Sequence, residues 1–371
     1  MREVVVLGVG LHQFGRWPQY RHAELARKAI MDALKEANAE FRQIQALWVG
    51  CVVRPQAMSW SILTEVGMTG IPILNVESAC TSASSAFREA YFAVGAGIYD
   101  IAMAAGVEKM QRGLQGAFFP DTLAGALGLG MMPATYAQSA VRHMKVHGST
   151  IEQFAQVSVK NHRNGTMNPN AQYHKEMTLE EVLGSRMVAE PLTLYQCSPT
   201  TDGASCAILC AKEKAAQFTN RYVTIAGWGA GSQGYAGGEE GDLAEGLVER
   251  ASRQAYERAG IGPKDVDLCQ VHDAFTPGEL ITIESLGFCP TGMGGVWTAE
   301  GKTEITGEIP VNTDGGLIAR GHPMGATGIA QIAEIVWQLR GDAGPRQVKD
   351  AKVGLTHNVA IGGCNIHIFK R

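Results

Sequence analysis

The chain has 371 residues, 45% hydrophobic and 18% charged, the texture of an ordinary soluble globular protein with room for two core-bearing units or one duplicated unit. A formal net charge of −4 leaves no electrostatic footprint for nucleic acid or an anionic membrane. No apolar run approaches the length of a membrane span.

Val4 to Gly8 reads as a short strand, and Ala23 to Ala39 carries Leu25, Ala29, Ile30, Ala33 and Leu34 at helical spacing. Strand-like Ala46 to Val53 and Ile71 to Val76 follow, then a helix to about Ala96 and a continuously apolar strand from Ile101 to Gly106. From about 111 to 199 charged helical patches alternate with turn-rich polar pieces, which reads as an inserted loop domain. Ala204 to Ala211 returns to buried strand. The opening pattern then recurs: strand Tyr222 to Trp228, helix Leu243 to Gly260, strand Val266 to His272, helix Leu280 to Leu286, helix Ala326 to Leu339, and closing strands Val353 to Thr356 and Ala360 to Phe369. Leu25 to Ala39 and Leu247 to Ile261 match in residue type, each between a Val/Ile strand and a second strand. This predicts two similar α/β halves with a site built from both.

The eight cysteines (Cys51, Cys80, Cys197, Cys206, Cys210, Cys269, Cys289 and Cys364) include no C-x-x-C pair, so neither a disulfide framework nor a zinc cluster is expected. Reduced thiols fit a cytoplasmic protein. The opening Met1-Arg-Glu-Val-Val-Val is unlike a signal peptide, and the final Phe369-Lys-Arg is unlike a peroxisomal address.

Four stretches place reactive side chains at element ends. In Asn75-Val-Glu-Ser-Ala-Cys80-Thr-Ser-Ala a thiol stands where a strand gives way to a helix of small residues. A helix N-terminus lowers a thiol's pKa and favours the reactive thiolate, while the plainer reading is a small buried hydrophobe. The others are His272-Asp-Ala-Phe275, Asn312 to Gly328 with His322 before Pro323, and His357 to Asn365. His322 precedes its Gly/Ala-rich helix as Cys80 precedes its Ser/Ala-rich one. A Cys and a His at matching positions of two halves is what covalent catalysis with a general base needs.

Together these stretches resemble the thiolase superfamily over essentially the whole chain. The carriers are Asn-Val-Glu-Ser-Ala-Cys-Thr-Ser-Ala, His-Asp-Ala-Phe, Gly-Gly-Leu-Ile-Ala-Arg-Gly-His-Pro-Met-Gly-Ala-Thr-Gly and the glycine-rich C-terminus. His-Asp-Ala-Phe and the loop domain are most similar to the sterol-carrier-protein-type branch and its archaeal and bacterial relatives, which pair with a small zinc-ribbon/OB-fold (DUF35) subunit. The resemblance implies a duplicated five-layered α/β/α/β/α fold, with halves at 1–215 and 216–371 and the loop domain inserted in the first. It further implies an acyl-CoA C-acyltransferase that makes or cleaves the C–C bond of a 3-oxoacyl-CoA, with coenzyme A as substrate, no tightly bound cofactor and no metal. A homodimer or tetramer is implied by the same likeness. A thiolase-like aldolase/lyase and a non-catalytic subunit are the alternatives.

By motif, Cys80 would accept the acyl group, His322 would activate it, and His272 would hold the thioester or enolate oxygen with a water. Backbone N–H groups of Cys80 and a C-terminal glycine such as Gly363 would form a second oxyanion hole. Asn358, Asp273 and Phe275 belong to the same oxyanion and substrate neighbourhood. Many thiolases bring a second cysteine to the carbanion side; here those positions hold Ala360 and Ala274, leaving Cys364, and behind it Cys289, as substitutes.

Two patterns read as decoys. Gly229-Ala-Gly-Ser-Gln-Gly234 satisfies G-x-G-x-x-G without a following helix, so a loop over the site mouth is expected in place of a dinucleotide site. His143, His147, His162 and His174 lack metal-ligand spacing and read as a solvated face. Trp60, Tyr136, Tyr195 and Trp228 are possible pocket walls.

Overall fold

Val4, Val5, Val6 and Leu7 open the chain as extended backbone because β-branched side chains fit a pleated surface covered on both faces. In the computed structural model, which describes residues 1–111, 123, 130–233, 245–361 and 363–371, this segment begins strand β1 (Val4–Gly15). Next come α1 (His22–Ala37), β2 (Leu47–Gly50), α2 (Met58–Val66), β3 (Ile73–Val76), α3 (Ser82–Gly95) and β4 (Ile101–Lys109). The loop domain carries α4 (Met132–His147), α5 (Ile151–Thr166) and the hairpin of β5 (Met187–Ala189) and β6 (Leu192–Thr193). It enters and leaves beside one point, because β7 (Asp202–Ala211) pairs antiparallel with β4. The remainder is β8 (Val223–Ser232), α6 (Glu245–Ala259), β9 (Leu268–Gln270), α7 (Thr276–Ser285), α8 (Thr327–Arg340), β10 (Val353–Ala360) and β11 (Gly363–Lys370).

The strands form a nine-stranded mixed sheet in the order β3-β2-β4-β7-β1-β8-β11-β10-β9. Outward from the β1–β8 seam the two sides repeat one another: β1-β7-β4-β2-β3 on one, β8-β11-β10-β9 on the other. The second series ends in an isolated parallel bridge, Cys269 to Val311, where a fifth strand would lie. The seam rests on Val5 opposite Thr224 and Val6 opposite Val223.

Strand alternation sorts the core into layers. Val5 and Leu7 pack under α1 and α2 with Leu25, Ile30 and Ile62. Val4, Val6 and Val9, on the other face of β1, join Phe87 and Ala90 of α3 and Ile329, Ile332 and Val336 of α8. Leu355, Ile366 and Ile368 pack beneath α6 and α7 against Val248, Tyr256 and Ile283. The succession is helix, sheet, central helix pair, sheet, helix. The central pair, α3 and α8, approaches closely because its facing residues are small. A Cβ at Gly328 would stand 2.6 Å from the Ser84 backbone nitrogen. That closeness brings the turns leading into α3 and α8 to the same place.

Two expectations need correcting. Helix α2 was not foreseen, since Met58-Ser-Trp-Ser-Ile-Leu is too short to show a helical period. Gly229 to Ser232 are not loop but the end of β8, paired with β11. Gly229 lets α6 approach: a Cβ there would lie 1.8 Å from the Ala251 carbonyl oxygen. Gly234 and the loop expected after it lie outside the described residues.

Candidate active site

Beyond β3 the chain reverses sharply at Ala79, a non-glycine residue at φ 45°, and presents Cys80 before α3 begins at Ser82. Side chains brace the turn: Ser78 N–H donates to Ser82 Oγ (2.9 Å) and Ala79 N–H to Glu77 Oε1 (2.8 Å). The thiol is half-buried. The expected lowering of its pKa is not found. Burial, and after it the Glu108 carboxylate, push Cys80 up to about 12 against the smaller lowering by its own backbone N–H. Cys80 precedes the first helical residue by two positions, so the helix terminus is outweighed. At rest Cys80 is therefore a thiol, and only a neighbouring base would turn it into a thiolate.

His322 follows Gly321 (φ 110°) in the turn before α8. Its backbone N–H donates to Thr201 Oγ1 (3.1 Å), and Nδ1 is 2.7 Å from Thr327 Oγ1. The Thr327 hydroxyl is also 3.1 Å from the Pro323 carbonyl, so it anchors the ring to the backbone at the start of α8. Burial first, then Arg320, lowers His322 to about 3, keeping the ring neutral. Glu108 ties the segment after β2 to the turn that carries His322. Its carboxylate accepts N–H groups of Val52 (2.9 Å) and Val53 (3.2 Å) from one half and Gly325 (3.2 Å) from the other.

His272 lies two residues beyond β9. Its backbone N–H donates to His357 Nδ1 (3.3 Å), and its own Nδ1 is 3.0 Å from Asn358 Nδ2. Burial, aided by surrounding positive charge, lowers it well below the ordinary imidazole range. The His272 and His322 rings meet edge to face with centroids 4.9 Å apart. The Cys80 sulfur and one ring nitrogen of each of His272 and His322 lie within 4.8 Å of one another. Among the described residues this trio is also the grouping that could hold a metal ion.

The other expected residues separate. Asp273 faces protein interior: its carboxylate accepts from Leu317 N–H (2.7 Å), Ile318 N–H (3.4 Å) and Asn161 Nδ2 (2.7 Å), fastening the turn that delivers His322. Burial and then Glu279 raise it to about 7. Phe275 lines the cavity, stacked on Tyr136 at 4.6 Å. Gly363 lies beside the cysteine turn, a Cβ there meeting Thr81 Oγ1 at 4.0 Å. Cys364 is not brought to the trio. Successive residues of β11 face opposite ways, so Asn365 reaches α3 whereas Cys364 packs into the outer core with Val248 and Ile366. Cys289 lies in that outer core too.

The trio opens on a cavity of about 690 Å³, walled by Met110, Met132, Tyr136, His162, Tyr173, Tyr195, Phe275 and Met324. His162 was read as solvated but is buried, stacked on Tyr173 at 5.6 Å. His143 is buried as well, bonded to Glu284 (3.2 Å) and Ser149 (2.9 Å). Trp60 is 55% exposed and lies off the cavity, and Trp228 stacks under Arg258 (3.6 Å). Glu108, Thr201 and Thr327 went unnoticed in the sequence. Only Thr327 carried a signal, inside the Gly-His-Pro-Met-Gly-Ala-Thr-Gly string.

Residues 4–213 match the family described as "Thiolase, N-terminal domain" and residues 229–368 that described as "Thiolase C-terminal domain-like". The chain belongs to the thiolase family. Similar to this thiolase is the "Acetyl-CoA acetyltransferase" of Methanothermobacter thermautotrophicus, 41% identical over 100% of both chains. "Sterol carrier protein 2" of Homo sapiens is 36% identical over 98% of this chain and 71% of the relative. Among solved structures, an "Ltp2-ChsH2(DUF35) aldolase" superposes with a TM-score of 0.89 at 25% identity, covering 99% of this thiolase and 97% of the other chain.

Proposed function

We propose that this thiolase is an acyl-CoA C-acyltransferase that makes or cleaves the C–C bond of a 3-oxoacyl-CoA through an acyl group on Cys80. The observation that carries this is the meeting of Cys80, His272 and His322 within 4.8 Å at the cavity. In the synthetic direction the His322 imidazole takes the thiol proton as sulfur attacks the thioester carbonyl. The oxyanion is held by N–H groups of Cys80 and Gly363, and departing coenzyme A carries the proton away. A second acyl-CoA enters and loses an α-proton to His322, neutral once more. Its enolate oxygen is held by His272 while the α-carbon attacks the acyl group and expels the Cys80 thiolate, which recovers the proton from His322. Cleavage runs the same steps in reverse. With Cys364 turned into the outer core, His322 serves both proton transfers. Coenzyme A enters as substrate, and no tightly bound cofactor is needed.

The test is to incubate the protein with acetyl-CoA or a longer acyl-CoA and weigh it intact. A mass increase of one acyl group, lost in Cys80→Ala, is expected. A protein that cleaves a C–C bond beside a thioester with no adduct, and retains this in Cys80→Ala, would instead be an aldolase, the reading favoured by the similar DUF35-paired aldolase structure.

Assembly belongs to the same proposal. Edge strand β3 leaves Leu74 54% exposed, supporting a homo-oligomer in which a second copy covers this edge. A small DUF35 subunit is the further proposed partner, and a cytoplasmic setting fits the eight free cysteines. The halves are taken as 1–215, with the loop domain at about 111–199, and 216–371.

A further inference from the structure

Ser84, Ser85 and Arg88 lie on the side of α3 that faces β11, and Asn358 sits directly opposite Asn365 in the β10–β11 ladder. Hydrogen bonds run through these residues without a break. Arg88 Nη1 donates to Asn365 Oδ1 (2.8 Å), and Asn365 Nδ2 donates to Ser84 Oγ and Ser85 Oγ (both 3.0 Å). Ser84 Oγ donates to Asn358 Oδ1 (2.7 Å), and Asn358 Nδ2 meets His272 Nδ1 (3.0 Å).

The direction of this relay follows from its first member. A guanidinium has donors only, so Asn365 must turn its oxygen to Arg88 and its amide hydrogens to the serines. Ser84 Oγ, having accepted one of them, has a single hydrogen to give. The Thr81 carbonyl is also in reach (3.0 Å) but already accepts from Ser85 N–H (2.8 Å). Asn358 Oδ1, buried, has no other donor among the described residues, and leaving it unmet would cost about 1–3 kcal/mol. The hydrogen therefore goes to Asn358, whose amide hydrogens then face His272 Nδ1. That nitrogen must be the acceptor, and the proton of the neutral ring sits on Nε2, the nitrogen left for the cavity that His272 lines.

We infer that Arg88, acting through Asn365, Ser84 and Asn358, holds His272 as the Nε2–H tautomer and so makes it a fixed hydrogen-bond donor to the enolate or thioester oxygen. The four are positioning residues, and the assignment of the oxygen rests on the acyl-transfer reading above. The two imidazoles thereby divide their work although they touch: His322 takes protons in the acyl-transfer reading, whereas His272 Nε2 carries one and donates. Gly328 leaves room for the relay to pass between α3 and α8, since a Cβ there would stand 2.8 Å from Asn358 Oδ1.

The test is nitrogen NMR of the full chain labelled with [15N]histidine, with His272 assigned by the signals missing in His272→Gln. At neutral pH the wild-type ring should show an unprotonated Nδ1 and a protonated Nε2. Asn358→Asp, which can only accept, should move the proton to Nδ1 and slow C–C bond formation about 100-fold, with acylation of Cys80 much less affected. Ser84→Ala should mix the tautomers and Ser84→Thr restore the single one. A wild-type ring protonated on Nδ1 overturns the inference, as does an Asn358→Asp enzyme whose tautomer is inverted but whose C–C step keeps its rate. If the tautomer is as stated but Cys80 takes no acyl group, the acyl-transfer reading falls and the relay stands.

Discussion

The turns that carry Cys80 and His322 occupy matching places in the two halves, yet their surroundings are opposite. The cysteine turn hangs from an edge strand: Leu74, Asn75 and Glu77 are exposed and Ser78 to Cys80 only half-buried. The histidine turn is interior, with every residue from Ile309 to Val336 buried, including Asp314, paired with Arg320, and His322. Cys80, proposed as the nucleophile that meets incoming thioesters, sits where a neighbour can reach. His322, proposed as the base, is enclosed by protein. One fold repeated twice has thus been put to two uses, access and rigidity, and each can be perturbed separately.

The largest effect should come from the interior side. His322→Gln removes the basic imidazole and should slow acylation of Cys80 by about 1,000-fold or more, read as the rate of the mass increase. Unchanged acylation would place the base elsewhere. Gly328→Ala inserts a methyl group 2.6 Å from Ser84 N and should cost about 3 kcal/mol, lowering the melting temperature by several degrees. A neutral outcome would mean that the central helices can separate.

On the edge side, Leu74→Asp should convert the assembly to monomers in analytical ultracentrifugation while leaving the melting curve of the single chain nearly unchanged. An oligomer that persists would move the interface away from β3.

Acid should strike the interior half first. His322, His357 and His367 are lowered by burial to about 3, so between the unfolded value near 6.5 and about 3 the unfolded chain binds protons that the folded one does not. Stability from these groups is complete above about pH 6.5 and is lost as pH falls through that window. Asp273, raised to about 7, works in the other direction, its contribution falling as pH rises from the ordinary carboxylate range through 7. Among the described residues neither ring nitrogen of His367 has a hydrogen-bond partner, and the ring packs on Phe87 at 5.1 Å. His367→Leu should therefore raise the melting temperature by a few degrees at pH 5 and by less at pH 8, measured by calorimetry. Equal shifts at both would remove the titration argument. Smallest of all, Cys364→Ala should leave turnover within about twofold, because its thiol faces the outer core. A large loss of rate at unchanged melting temperature would return Cys364 to the chemistry.

Much of this was legible in the residues. Cys80, His272 and His322 each stand where an apolar run ends, and strand ends are where a duplicated α/β chain gathers its site. What could not be read was the pairing of distant side chains. Ser84, Asn358 and Asn365 meet only because α3 crosses the β10–β11 ladder at one register, and a chain position carries no record of that crossing. Glu108 falls just beyond the strand read as Ile101 to Gly106, and its three N–H partners come from two other segments. The thiol's raised pKa has a related reason: a helix start is visible in sequence, but the burial of the thiol and, after it, the distant Glu108 carboxylate are not. The face taken by Cys364 could have been counted once Gly363 was known to begin a strand.

Strand β1 lies between β7 and β8, in the middle of the sheet. Early in synthesis it therefore has neither neighbour, and both arrive only after the whole loop domain has been made. Until Asp202 to Thr224 emerge, Val4 to Leu7 is an apolar strand with two open edges, the kind of segment that pairs with the wrong chain. Long-range pairing of this sort also slows folding. A ribosome-bound fragment ending before β7 should thus be a client for chaperones, and the enzyme's yield in a cell should depend on how long that strand must wait.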